Sequence, residues 1–413
     1  MSDRLLTPRF VTMWAYSFTV FISLFQLLPA APYRVIALGG STAEAGLFLG
    51  LLTYASAFSA PLTGTIADRV GQRRVLIVVS LILAMISTSY AFLTSYKLML
   101  VLVVVHGLFW SGLLSASSAY MAATIPVSRR AEGLGYWGLA SVTAIATAPA
   151  LGFWVYRHGW ITMCLEIAAL NLIMTVIAWR LPHEHLRDHQ GEETASQDLR
   201  SDQSSWRSGT SGVAARDVTP RGLGALIEWR VIVLGVTLGL VSFGYGGITS
   251  FTSLFADDLH VAPRSAFLSA MAAAMLIGRL TIGRSLDRIG HRRVLLPVLV
   301  LPAAGLLLLG MAYGPVVFLT AAIVFGAGFG LMYPAFAAYV ITHVPAVRRG
   351  AAFGAIIAAF DTGLGTGSTV MGSLIQAFGF RAAYLGAGAL AGLAVPYFLV
   401  AEKLVWGRKP AVD

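Results

Sequence analysis

Two acids of this chain fall deep inside stretches that are otherwise apolar, Asp361 in AAFDTGLGTGS and Glu166 in WITMCLEIAALN. An ionisable side chain at the centre of a membrane-spanning helix costs at least about 2.5–3.5 kcal/mol on insertion scales, so it marks a candidate for chemistry. Burial disfavours the charged form of a carboxyl, and a group that takes up and gives off a proton in such a place is suited to carrying one. Asp361 is the deeper of the two, about 13 residues into its stretch and roughly 20 Å from the end nearest Arg349. A structural acid bonded to Thr362 or Ser368 is the competing reading. Glu166 lies about one to two turns from an end, where a structural or snorkelling role competes. His106, in VVVHGLFWSG, adds an imidazole that titrates near neutral pH, although a lone histidine in a helix also serves in packing. Asp361, His106 and Glu166 are therefore the proton-coupling candidates. Arg279, in AMLIGRLTIGR, is the one base inside an apolar stretch and suits gate support or the binding of a substrate anion.

The elements that position these residues are read from composition. The chain of 413 residues is 57% hydrophobic and 12% charged, where a soluble domain carries about 25% charged residues. Apolar segments long enough to cross a bilayer recur. Twelve are expected, at 10–30, 43–63, 74–94, 98–123, 132–154, 160–180, 229–252, 264–284, 293–312, 315–342, 349–377 and 381–402. Between the sixth and seventh, residues 182–228 are polar, Ser-rich and mixed in charge, which predicts a cytoplasmic linker between two six-span halves, 1–181 and 229–413. His183, His185 and His189 fall in that linker without the rest of a metal-ligand set.

The net charge of +10 does not indicate nucleic acid. Of the 29 Lys and Arg, only Arg34, Lys97, Arg157, Arg264 and Arg381 fall on one side of the spans, Arg279 lies within one, and the rest cluster on the other side. That is the positive-inside bias, and it predicts a multi-pass protein of the bacterial inner membrane with both termini in the cytoplasm. The single cysteine, Cys164, excludes an internal disulfide. With no P-loop, zinc-ligand spacing or nucleophile elbow in the sequence, neither an enzyme nor a cofactor is expected.

Two segments are written twice. GTIADRVGQRRVL (Gly64–Leu76) and GRSLDRIGHRRVL (Gly283–Leu295) share the frame G-x-x-x-D-R-x-G-x-R-R-V-L at a distance of 219 residues. Tyr120, Pro126, Arg129, Arg130 and Gly135 recur at the same distance as Tyr339, Pro345, Arg348, Arg349 and Gly354. Such a register over half a chain marks a duplicated membrane unit, most often a transporter. The repeated frame resembles the signature loop of the major facilitator superfamily, and the resemblance extends over the whole chain. It implies an all-α integral membrane fold of twelve transmembrane helices in two pseudo-symmetric six-helix bundles. It also implies that Asp68, Arg69 and Arg73, with Asp287, Arg288 and Arg292, gate the cytoplasmic side by meeting Arg348 and Arg129 at the starts of the eleventh and fifth spans.

The same resemblance implies a cavity walled by spans one, four, seven and ten, with Tyr16, Gln26, Tyr33, Trp110, Ser111, Tyr245, Thr249, Phe329 and Tyr333 among its candidates and Arg279 beside it. Aromatic rings and hydroxyls with almost no fixed charge suit an amphipathic compound or a neutral polyol. Aligned on Pro149, the fifth span reads Gly135, Ala144, Ala148, Pro149 and Gly152, a partial match to the glycine-rich pattern of the superfamily's exporters. The expectation is a monomeric secondary transporter working by alternating access, its partners a small-molecule substrate, a proton or other ion gradient and the lipid bilayer. Proton-coupled efflux is the first reading, proton-coupled import of a sugar, organic acid or other metabolite the second.

Overall fold

The protein, seen in a computed structural model, is described over residues 5–126, 129–182, 228–282, 291–345 and 348–407. The helices are α1 (Pro8–Ala37), α2 (Thr42–Val70), α3 (Gln72–Phe92), α4 (Tyr96–Thr124), α5 (Arg130–Tyr156) and α6 (Trp160–Arg180) in the first half. The second half holds α7 (Trp229–Asp258), α8 (Ala266–Ile282), α9 (His291–Gly310), α10 (Pro315–His343), α11 (Arg349–Gly392) and α12 (Ala394–Trp406). Helix α11 carries two spans: it turns at Gly379 (φ 79, ψ 169), and its last residues run on with α12 as the twelfth crossing. Among the described residues, nine helical stretches are long and apolar enough to cross a membrane. With α8 and α9, shorter and apolar, and the break at Gly379, all twelve expected crossings are present.

Local sequence explains where the helices begin and turn. Thr7 caps α1 by accepting from the Phe10 amide, with Pro8 in the first turn where no amide is needed. Ser41 and Glu44 form a reciprocal capping box at the start of α2. Gly71 sits between α2 and α3 at φ 94, a conformation that L side chains avoid, so this glycine of the repeated frame is required by the turn. Gly64 is different: open space surrounds it among the described residues.

The halves meet chiefly along α2 and α11, with α5 against α8 and α1 against α7. Helix α11 is also the helix most closely packed on α7. Its run TGLGTGST explains both contacts. A Cβ at Gly363 or Gly367 would enter the backbone of α7, and one at Gly365 would strike the Thr53 hydroxyl of α2. Lipid offers no hydrophobic drive to bring helices together, so small residues that admit backbone contact supply it. Helix α2 answers with Gly46 and Gly50, four residues apart, which sit against Ser368 and Thr369.

Candidate substrate cavity

A cavity of about 910 Å³ lies between the halves, within the size range of small-molecule sites. Its wall draws on the ends of α1, α2, α4, α5, α7, α10 and α11 that lie on the side of the chain termini. Ala60, Ser118, Gly354 and Ala358 line it and are exposed, so it opens toward that side. The opposite end is shut. The Ser368 hydroxyl donates to the Gly46 carbonyl (2.8 Å) and receives a hydrogen bond from Ser250 (2.7 Å). Tyr54 and Thr366 join through their hydroxyls, and the Ala43 amide donates to Gln376 Oε1 (3.0 Å). Farther out, Tyr33 of α1 donates to Asp257 of α7 (2.9 Å). Arg264 pairs with that carboxylate (2.9 Å) and covers the Tyr33 ring at 4.9 Å.

Asp361 lines the cavity, half-buried, on the stripe of α11 that also carries Gly354 and Ala358. Among the described residues no hydrogen bond or ion pair engages its carboxylate. The competing structural role fails on geometry, since Ser368 is committed to Gly46 and Ser250 and Thr362 is exposed. Opposite Asp361 stand six serines, Ser17, Ser56, Ser111, Ser115, Ser118 and Ser141, and the rings of Phe21 and Trp137. On its own side Tyr333 lines the cavity and stands edge-on to Phe360 (5.8 Å), which leads to Phe329 (5.9 Å) and on to Tyr245 (4.3 Å).

The other coupling candidates sit elsewhere. His106 is buried behind the wall, its Nδ1 3.5 Å from the Tyr90 hydroxyl, with its glycine neighbour Gly107 against the backbone of Leu52. Glu166 accepts from Gln26 Nε2 (2.7 Å), which ties α6 to α1 outside the cavity.

The expected lining residues divide. Ser111 and Tyr333 line the cavity. Tyr16 is fully buried and bonds Ser80 of α3 (2.8 Å), Gln26 faces Glu166, and Tyr33 belongs to the outer closure. Trp110 supports Phe21 edge-on from behind at 5.9 Å. Tyr245 and Thr249 border a separate void of about 10 Å³ with Phe25, Ile145 and Pro149, and Phe329 packs on Tyr245. Arg279 donates its Nε to the Gly330 carbonyl of α10 (2.9 Å), so no base lines the cavity among the described residues. Sequence reasoning missed Ser17, Ser56, Ser118, Trp137 and Ser141. The clue available was Ser141, which falls next to the position in the first half equivalent to Asp361.

Of the gating candidates, Asp287 and Arg288 lie outside the described residues, as do residues 183–227 of the expected linker with its three histidines, and of Asp68 only its place in α2 is described. Arg69 is exposed at the end of α2. Arg73 donates to the Trp179 carbonyl at the end of α6, where Tyr120 also donates to Pro182 (3.4 Å). The repeat does the same work with different chemistry: Arg292 grips Glu402 of α12 with two bonds (2.7 and 2.9 Å), and Tyr339 donates to the same carboxylate (2.7 Å). Arg348 reaches Glu228 (2.9 Å). Arg129 grips Glu132 (2.8 Å).

Two six-helix halves around a central cavity, open at one end and sealed at the other, define a multi-pass membrane transporter. A model of the Major Facilitator Superfamily matches residues 13–284 and again 234–413, and the chain belongs to that superfamily. An uncharacterized MFS-type transporter of Pseudomonas aeruginosa (strain UCBPP-PA14) is 37% identical over 168 residues, 40% of this chain and 42% of that protein, so the match spans less than half of that relative. The uncharacterized MFS-type transporter YhhS of Escherichia coli (strain K12) is 23% identical over 399 residues, 94% of this chain and 91% of that protein. Among solved structures, that of the nucleoside transporter NupG has the same fold, with a TM-score of 0.71 at 19% identity over 96% of this chain and 100% of that one.

Proposed function

We propose that this superfamily member is a proton-coupled exporter of a small amphipathic organic compound. It works by alternating access, and Asp361 is the group through which proton and substrate are exchanged. The observation that carries this reading is a carboxylate without a partner among the described residues, in a cavity open at one end, on a helix whose other half forms the seal. The excess of Lys and Arg in the loops on the open side supports assigning that side, and both termini, to the cytoplasm of a bacterial inner membrane. Loading would then occur from the cytoplasm. The partial exporter pattern around Pro149 supports the outward direction. Uptake is the second reading, favoured by the six cavity serines, which suit a polar metabolite.

Direction and substrate are read together by an untargeted comparison of small molecules in cells with the wild-type protein, with Asp361→Asn and with none. The proposal expects at least one compound depleted inside wild-type cells and restored in both others. A compound enriched inside wild-type cells would establish import instead, and identical profiles for wild type and Asp361→Asn would remove Asp361 from the mechanism.

A further inference from the structure

The charge pattern of the cavity selects among amphipathic compounds. Its described lining holds one ionisable acid, Asp361, and no base; Tyr333 from α10 is the other titratable group. Helices α1, α2, α4, α5 and α7 contribute serines, alanines and Gly138 together with Phe21, Leu114, Trp137 and Ile232. Of the described bases, Arg279 bonds the Gly330 carbonyl and Arg348 bonds Glu228. An anionic ligand would therefore meet a bare carboxylate with no cation in the described lining to balance it, and like charges in a confined apolar space repel. A neutral ligand would leave that carboxylate desolvated and unpaired, which is costly. A ligand with one positive centre removes both penalties and brings its apolar body against Phe21, Trp137 and Tyr333, whose ring faces also attract cations.

We infer that the cavity binds monovalent organic cations with an aromatic or apolar body, the cationic centre seated at Asp361. This rests on the transporter reading above and narrows it to a class of substrate. Occupancy is an exchange at one carboxyl: when the acid is protonated its proton leaves to water as the cation arrives, so cation and proton compete. Of the six serines opposite, Ser17 accepts from Trp137 Nε1 (2.7 Å), Ser111 pairs with Thr63 (2.9 Å) and Ser141 donates to the Gly138 carbonyl (2.9 Å); a hydroxyl can both donate and accept, which suits bodies of different shape.

The test uses two probes of equal shape and opposite charge, tetraphenylphosphonium and tetraphenylborate, by equilibrium dialysis against the full-length purified protein with micelle-only blanks. The wild type is expected to bind the cation at least about tenfold more tightly than the anion after blank correction, a difference of ~1.4 kcal/mol. Asp361→Asn is expected to lose at least that factor toward the cation, and Asp361→Glu to keep most of it. Cation binding to the wild type should release protons into weakly buffered medium and weaken as the pH falls; Asp361→Asn should do neither. No cation binding by the wild type, equal binding of the two probes, or an unchanged cation affinity in a well-folded Asp361→Asn protein each overturns the assignment. Those results leave the transporter reading standing. That reading fails separately, if labelling of cavity cysteines never alternates between the two sides of the membrane.

Discussion

The hydroxyl of Ser368 donates to the carbonyl of Gly46 across the junction of the two halves, 2.8 Å away and seven residues beyond Asp361 on the same helix. Seven residues are two helical turns, so both side chains project from nearly one face of α11. The stripe that presents the acid to the cavity continues into the seal against α2. Any rotation or tilt of α11 that accompanies loading at Asp361 must therefore act on the closure above it. Rigid helices with two discrete packings are the recognised means by which such a coupling travels.

The seal depends on bare backbone, so a side chain at Gly46 should force it open. A Cβ there would strike the Ser368 carbonyl, and a leucine has no room to turn away. In a Cys164→Ala background, single cysteines replacing Ser56 or Ser141 report which side reaches the cavity. Gly46→Leu is expected to raise their labelling from the sealed side roughly tenfold, equivalent to ~1.4 kcal/mol in the equilibrium between the two states. Unchanged labelling in a folded variant would mean that α2 and α11 do not form the outer gate.

Tyr33, Asp257 and Arg264 form a second and more exposed closure, and its contribution should be smaller. Tyr33→Phe removes one hydrogen bond to a carboxylate and keeps the ring beneath Arg264. The sealed state should lose ~0.5–1.5 kcal/mol, the range of an ordinary net hydrogen bond. Labelling from the sealed side would rise several-fold at low salt. An effect as large as that of Gly46→Leu would show that this latch, rather than helix packing, holds the seal.

The paired arginines of the repeated frame should differ in what they tolerate. Arg292 forms a two-pronged pair with Glu402, a geometry that lysine cannot reproduce. Arg292→Lys is expected to lower the thermal midpoint of the purified protein by a few degrees, the exposure of Arg292 limiting the loss to ~1 kcal/mol. Arg73 addresses a carbonyl, which a lysine can also reach, so Arg73→Lys should melt closer to the wild type. Equal midpoint shifts would contradict the different chemistry of the two clamps.

The twelve crossings were legible because length and hydropathy set them, and the duplicated frame exposed the two halves. The cavity was less legible. Spans one, four, seven and ten were expected to wall it, but α2, α5 and α11 also line it because the halves part on one side. That parting is a tertiary property with no local signature. The lining is largely Ser, Ala and Gly, residues equally at home between packed helices. Tyr16 and Gln26 were expected on the wall from the resemblance, yet each turns to a partner within its own half, Tyr16 to Ser80 and Gln26 to Glu166. Asp361 drew notice because an acid that deep in an apolar stretch is costly to hold there.

The same reasoning separates Asp361 from His106 as carrier of the coupled proton. Asp361 lines the cavity that opens toward the side of the chain termini, while His106 is buried against Tyr90 without lining that space. If Asp361 exchanges proton for substrate, Asp361→Asn should abolish gradient-driven transport and its pH dependence. Exchange of substrate at equal concentrations should persist more weakly, because a permanently neutral side chain still permits the sealed and open states to interchange. His106→Gln keeps a polar amide of similar reach and should leave the pH profile in place, with at most a modest loss of stability from the changed contact with Tyr90. Both variants are reconstituted in vesicles and compared with and without an imposed pH gradient. Should His106→Gln lose gradient-driven transport while Asp361→Asn retains it with the wild-type pH profile, the proton is carried behind the wall and Asp361 serves the substrate alone.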